Sequence, residues 1–276
     1  GLVLVLAHHA VAADYTGPLI DAHSHVPSGS AIDAYVEAMR RHDVRKVVLL
    51  GVGGVQKQDA AWLAAAARKY PDRVVAGVPL PDPTDEAAAA KLDALLERSG
   101  ARVIGEVHVR QVSRKIDRDP SAAVFVRILE VSARRHAPVV IHQELDDRAS
   151  AALERALAAQ RKAVVVLAHA GGASPSRLAT LLDRNDNLMV DLSGMHFDRT
   201  PALATERGRL DPGYRALIEK MPDRFLMGID VWAPRLFDPA MLDRLMTWTR
   251  RVLGELSPDV AERVAWKNAA ALYRLE

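Results

Sequence analysis

The stretch PLIDAHSHVPSG, Pro18 to Gly29, closes an apolar run with His23 and His25 one residue apart and then stops on Pro-Ser-Gly. In a strand, side chains alternate between faces, so His23 and His25 point one way while Ala22 and Ser24 point the other. Two imidazoles on one wall are the beginning of a metal site, but a lone H-x-H also suits solvated or hydrogen-bonded histidines. Four further segments add to it: VIGEVHV carries Glu106, VVIHQE carries His142, VVVLAHAGG carries His169 and RFLMGID carries Asp230, each where an apolar run finishes. Singly, each has a plainer reading, with Asp230 capping a helix, Glu106 pairing with Arg102 and His142 satisfied at an edge. Together they make five strand ends that place nitrogen or oxygen donors on one side of a single fold. The 276 residues contain no cysteine, so disulfides and thiolate ligands are excluded. Imidazole and carboxylate donors suit a divalent transition metal such as Zn²⁺, Mn²⁺ or Fe²⁺, with Zn²⁺ the usual ion for hydrolysis. Such an ion brings the pKa of its water from ~15.7 to about 7, and a base must then take the proton. Asp230 is the candidate for moving that proton, and His169 for orienting the water or steadying an oxyanion.

The elements that must position these groups follow from one repeated arrangement, an apolar run and then an Ala/Leu/Arg-rich helical stretch. The runs are PLIDAHSH, RKVVLLGV, DRVVAGVPL, ARVIGEVHV, APVVIHQE, KAVVVLAHA, NLMVDLSG and DRFLMGID. Helices are expected over Ala31 to His42, Gln58 to Tyr70, Asp85 to Ser99, Pro120 to His136, Arg148 to Gln160, Pro175 to Asn185, Asp211 to Met221 and Met241 to Leu253. Near-continuous hydrophobic strands are buried on both faces, and alternation with helices implies parallel pairing. Eight such units over roughly 250 residues fit an α/β fold of one closed (β/α)₈ barrel. A doubly wound open sheet competes, but HSHVPSGSAID stands where its Gly-rich phosphate loop belongs. In a barrel, the C-terminal ends of the strands form the mouth where chemistry is kept.

Composition agrees with a globular enzyme, at 49% apolar and 26% charged residues. The net charge of +2 gives no reason to expect nucleic acid or membrane as a partner. Residues 1–17 are read apart from the barrel of residues 18–276. GLVLVLAHHAVAA has a short apolar run and an A-x-A-like Ala10-Val11-Ala12 but no basic start. It is expected to be a signal-peptide remnant or an N-terminal arm, which favours a periplasmic or secreted location over a cytoplasmic one. Leu2 to Leu6 is far too short to cross a bilayer. His8 and His9 have no acidic neighbours and are not counted as ligands.

The ordered series IDAHSHV, VIHQE, LAHAGG, VDLSG and FLMGIDVW resembles the amidohydrolase superfamily, in particular its amidohydrolase-related branch of small decarboxylases and lactone hydrolases. ERVAWKNAAALYRLE is similar to that branch's C-terminal helix, so the likeness runs from about Leu19 to Leu275. The resemblance implies a TIM barrel with a C-terminal helix, in which His23, His25, His142 and Asp230 hold the metal. It implies that His169 activates water or holds a second ion. Many two-metal members carry a carboxylated lysine on the fourth strand, whereas this chain has Glu106 there. Some relatives bridge two metals with a glutamate at that position, so Glu106 is an expected ligand and one or two ions remain open.

Several other groups bear on the substrate. VRQVSRKIDRDP offers Arg110, Arg114, Lys115 and Arg118, and DVWAPRLFDP offers Trp232 and Arg235. These cations either hold a substrate carboxylate or belong to solvated loops. His108, two residues beyond Glu106, is a substrate contact or a packed histidine. Gly194 to Gly213 is long for a barrel loop, as lids often are, with His196 at its start. The expected activity is metal-dependent hydrolysis of a small-molecule C–O or C–N bond in a lactone, ester or amide. A decarboxylase of an unsaturated carboxylic acid using the same metal is the alternative, and a non-catalytic barrel scaffold the second. A small-molecule partner is expected, and a homo-oligomer is compatible with the sequence.

Overall fold

Runs of valine, isoleucine and leucine supply the strands of the computed structural model, which describes residues 13–52, 58–80 and 82–275. In chain order these are β1 (Leu19–Ser24), β2 (Val44–Leu49), β3 (Val74–Ala76), β4 (Ile104–Gln111), β5 (Ile116–Asp117), β6 (Val139–Gln143), β7 (Val165–Leu167), β8 (Leu188–Asp191) and β9 (Phe225–Leu226). Eight of them match the eight apolar runs of the sequence. The ninth, β5, is a two-residue return antiparallel to β4. Helices α1 (Ala31–Arg41), α2 (Asp59–Lys69), α3 (Ala88–Ser99), α4 (Ala123–Arg135), α5 (Asp147–Ala159), α6 (Pro175–Arg184), α7 (Pro212–Lys220) and α8 (Pro239–Gly254) follow the barrel strands in turn. Their starts are written locally. Asp146, Ser174, Asp211 and Asp238 each cap the first turn through the side chain, and the last three are followed by proline at the first helical position.

Parallel pairing joins β1, β2 and β3, and separately β4, β6, β7, β8 and β9. Two seams close these arcs into one (β/α)₈ barrel. At one, Val78 bridges Ile104 and Val78 N–H donates to Val103 at 2.9 Å. At the other, Ala22 N–H donates to Met227 at 3.0 Å, Asp230 N–H to His23 at 2.8 Å and His25 N–H to Val231 at 2.8 Å. Outward residues such as Leu19, Val47, Leu49, Ile141 and Leu167 pack with the helices in the larger core. Inward residues Ile20, Ala22, Val48, Leu50, Val140, Val166 and Leu226 fill the barrel.

The C-terminal helix expected from the sequence is α9 (Pro258–Glu262), a π-helical turn over Arg263–Lys267, and α10 (Asn268–Tyr273). Ala269 and Tyr273 join the barrel-filling cluster. Arg274 donates to His136, before β6, and Arg102, before β4, donates to Arg274. The helix therefore plugs the end at which strands begin and leaves the opposite mouth for the site. The plainer alternative for Glu106, a pair with Arg102, does not form, because Arg102 is turned to Arg274 at the plugged end.

Simple alternation fails in β1. Asp21 and Ser24, three residues apart, pair with Val47 and Leu49, which are two apart, so β1 carries one extra residue. Ala22 and His23 consequently both face the barrel, and Ser24 faces outward. The expectation that Ala22 lies on the wall opposite the histidines is corrected by this bulge. Residues 14–17 lie along α8, where Tyr15 N–H donates to Arg250 at 2.9 Å and the Arg250 guanidinium donates to the Tyr15 and Gly17 carbonyls. His8, His9 and the A-x-A-like segment lie outside the described residues. Among the described residues, no helix is long and apolar enough to cross a membrane.

Candidate metal centre

All six sequence-predicted ligands meet at the mouth. His23 and His25 bring their Nε2 atoms to 3.1 Å of one another. Glu106, the third residue of β4, faces both sides of the cluster with different oxygens. Its Oε2 lies 3.7 Å from His23 Nε2 and 3.5 Å from His25 Nε2. Its Oε1 lies 2.9 Å from His142 Nδ1 and 3.2 Å from His169 Nε2. Asp230 approaches His25 Nε2 at 3.5 Å through Oδ1 and His169 Nδ1 at 3.9 Å through Oδ2. Three overlapping trios have donor atoms within 4.8 Å of one another: His23, His25 and Glu106; Glu106, His142 and His169; His23, His169 and Asp230.

Local backbone and buried partners aim these side chains. The 3₁₀ turn Ala168–Gly172 holds His169 at φ 56°, and Asp230 sits at φ 58°, both in the left-handed region that non-glycine residues rarely occupy. Gly194, at φ 63°, passes so close that an added Cβ would meet the Asp230 carboxylate. Three rings are held through Nδ1. His23 Nδ1 donates to Asp191 at 2.8 Å, His25 Nδ1 to the Leu50 carbonyl at 2.7 Å and His169 Nδ1 to the Ser193 carbonyl at 2.9 Å. In each ring this frees Nε2 for the centre. Asp191 also accepts from the His169 and Ser193 N–H groups, at 3.2 Å and 3.1 Å, so one carboxylate steadies two rings of the cluster.

The electrostatics follow from burial and proximity. Burial would lower the basicity of His23, but Asp191 and Glu106 outweigh it and raise its pKa well above the usual range. His169 follows the same pattern: burial opposes protonation, yet Asp230 and Glu106 push it up to about 9. Burial disfavours ionised Glu106, but His23, His142 and His169 hold it well below the ordinary carboxylate range. Asp230 likewise comes down to about 2, through His169 and His25 in spite of burial. The donor set fits a divalent ion. It contains three imidazoles, two buried and one partly exposed, each with one nitrogen anchored and the other turned inward, and two ionised carboxylates.

The remaining predicted groups divide. A cavity of ≈ 350 Å³ beside the cluster is lined by Arg110, His142, His169, Gly194, Arg199 and neighbours. Arg110 is already engaged, donating to the Glu144 carbonyl at 2.7 Å and lying 2.9 Å from Asp146. Arg118 donates to the His108 carbonyl at 2.7 Å. Arg114, Lys115, Trp232 and Arg235 are exposed and do not line this cavity. His108 is buried and stacks on His142 at 5.1 Å between ring centroids. Burial takes its pKa down to about 4, so it backs His142 as a neutral ring. His196 is also buried, and its Nδ1 accepts from Asp198 N–H at 3.3 Å within the long loop's own turn. Sequence reasoning missed Arg199, which reaches to 3.9 Å from Asp230 Oδ2. It missed Asp191 and Ser193 too, although VDLSG was among the matching segments. Their role is to hold other ligands, which strand position alone does not reveal.

A sequence profile of the family described as Amidohydrolase matches residues 20–275. No curated protein matches the sequence. Among solved structures, an uncharacterized TIM-barrel protein of Bordetella bronchiseptica is similar with a TM-score of 0.69 at 15% identity, over 94% of this chain and 99% of that one. A dihydroxybenzoic acid decarboxylase of Polaromonas sp., with bound manganese and the inhibitor 2-nitroresorcinol, gives 0.65 at 14% identity over 95% and 97%. A probable 2-pyrone-4,6-dicarboxylic acid hydrolase of Acinetobacter baumannii, with citric acid bound, gives 0.65 at 14% identity over 93% and 99%. At such identities the likeness is one of fold.

Proposed function

The chain belongs to the amidohydrolase family of metal-dependent enzymes, and from that premise we propose that it hydrolyses a C–O or C–N bond, in a lactone, ester or amide, of a small molecule bearing a carboxylate. The observation that carries this reading is the inward set of Nε2 atoms from His23, His25 and His169, anchored behind by Asp191, Leu50 and Ser193, around the ionised Glu106 and Asp230. His23, His25 and Asp230 would hold one divalent ion, with zinc the ion preferred for hydrolysis. His142 and His169 would hold a second, Glu106 serving both through its two oxygens. When bound, such an ion acidifies water and polarises the bond to be cleaved.

The protein's own groups do the rest. Asp230 stays ionised at neutral pH and accepts a proton at a carboxylate oxygen, then returns it to the leaving group. His169, fixed through Nδ1, presents Nε2 to the reacting oxygen. Arg199 lines the cavity beside Asp230, and its guanidinium is the group proposed to take the substrate carboxylate in a two-point pair. Decarboxylation is the second reading, favoured by the manganese-bearing decarboxylase among the similar structures. An aspartate held ionised favours hydrolysis, since it begins as proton acceptor.

The test is to strip the protein of metal, reload it with Zn²⁺ or Mn²⁺, and screen lactones, esters, amides and unsaturated carboxylates in ¹⁸O-labelled water. Label in the product supports hydrolysis. Carbon dioxide released together with an organic product that carries no label replaces it with decarboxylation. A protein that neither retains metal nor turns over any of these classes would fit a barrel scaffold instead.

A further inference from the structure

We infer that Asp21 is a positioning residue for the candidate metal centre: it holds the β1 bulge that turns both His23 and His25 into the barrel and ties that bulge to the segment bearing Asp230. The inference rests on the reading that these histidines bind a divalent ion.

Regular alternation from Ile20 and Ala22, both inside the barrel, would make Ser24 the next inward residue and send His23 and His25 out among the helices. The extra residue between Asp21 and Ser24 reverses that phase. A bulge leaves a backbone donor without its ladder partner, and a buried one needs an acceptor. Here Asp21 supplies it: its Oδ1 accepts from His23 N–H at 3.1 Å. The same oxygen accepts from Ile229 N–H at 2.8 Å, one residue before Asp230. Its Oδ2 accepts the hydroxyls of Ser24 and of Tyr35 on α1. Ser24 Oγ in turn accepts from Val231 N–H at 3.2 Å, one residue after Asp230. Asp21 and Tyr35 are both fully buried. One carboxylate, an acceptor at both oxygens, thus gathers four donors from β1, α1 and the turn after β9. It touches no reacting group. Burial pushes the Asp21 carboxyl up, and these hydrogen bonds act against that.

An amide in place of the carboxylate keeps the shape but has a single oxygen, so it cannot accept from the two backbone N–H groups and the two hydroxyls together. The experiment loads the full-length protein with Co²⁺ and with Zn²⁺, and measures affinity against a chelating indicator together with the visible Co²⁺ absorption. Asp21→Asn is expected to bind about 10-fold or more weakly, the scale of outer partners of metal ligands, and to change the Co²⁺ band. Tyr35→Phe, which leaves Asp21 in place and removes one hydroxyl, is expected to give a smaller loss in the same direction, and it carries the test if Asp21→Asn does not fold. Leu178→Ala, in the buried face of α6, serves as a control that lowers the melting temperature with affinity unchanged. If both site variants keep wild-type affinity and absorption while melting lower, Asp21 acts on stability alone and the inference is overturned. A wild-type protein that binds neither ion overturns the metal reading itself, and this inference with it.

Discussion

At the scale of single residues, Asp230 and Arg199 make separable demands on the chemistry. Asp230 lies among His25, His169 and Arg199, and its pKa is drawn down to about 2. Its replacement by asparagine keeps the volume and removes the proton acceptor. Asp230→Asn is expected to lower kcat by about 10²–10⁴-fold, the usual worth of a positioned acid-base group, with an unchanged far-UV circular dichroism spectrum. A wild-type rate would remove Asp230 from the proton path. Arg199 makes its one ion pair among the described residues with Asp230, at a long 3.9 Å, and is partly exposed. Arg199→Met is therefore expected to raise KM about 10-fold or more with kcat altered far less, as when uniform substrate binding is lost. Equal falls in kcat and kcat/KM would mean that Arg199 serves Asp230 rather than substrate. These two residues also differ in how visible they were. Asp230 ends an apolar run and could be read as a ligand from position alone. Arg199 lies inside a 20-residue stretch with no periodic pattern, where nothing in the sequence singles it out from Arg207 or Arg209.

At the scale of elements, the eight strand-and-helix units were legible because each strand is a short hydrophobic run and each helix an amphipathic stretch with local start signals. Boundaries agreed to within a few residues: α8 spans Pro239–Gly254 where Met241 to Leu253 was expected. Three features were not legible. The β5 return is held by only two paired residues. The β1 bulge depends on Tyr35 and Ile229, distant in sequence from the strand it shapes. The support of His23 by Asp191 spans 168 positions and arises only when β8 comes round the barrel. The close approach of neighbouring strand ends gives a prediction at this scale. Gly228 follows β9, and an added Cβ would lie 2.7 Å from Ser193 Cβ and 3.0 Å from His23 Cβ. Gly228→Ala is expected to cost about 1–3 kcal/mol through overpacking, lowering the thermal midpoint by several degrees. It is also expected to weaken metal binding, because one displaced neighbour is the candidate ligand His23 and the other, Ser193, holds His169. A midpoint and affinity both at wild-type values would show that the strand ends spread to admit a methyl group.

At the scale of the whole molecule, the plugged end and the open mouth put stability and chemistry at opposite ends of one barrel, but the charge cluster couples them. Without metal, protons occupy the positions that an ion would take. His23 Nδ1 stands 2.8 Å from Asp191 and its Nε2 3.7 Å from Glu106, and His169 Nε2 stands 3.2 Å from Glu106, so protonated rings satisfy the buried carboxylates. The sign of the pH dependence follows from the direction of each shift. His169 titrates near 6.5 when unfolded and near 9 when folded, so its contribution to metal-free stability is complete below about 6.5 and is lost as pH rises through about 9. His23, also raised, acts in the same direction. Asp230 runs the other way, its contribution present above about 3.9 and lost as pH falls through about 2, which leaves the neutral range to the histidines. A metal ion must displace those protons, so its binding strengthens over the same interval in which the metal-free protein weakens. The gap in melting temperature between Zn²⁺-loaded and chelator-stripped protein is accordingly expected to widen from about pH 6.5 to 9, because the stripped form falls while metal binding strengthens. Calorimetric scans at half-unit steps, with and without chelator, measure it. A gap that stays flat or narrows across that interval would mean that the histidine protons and the ion do not compete for one place.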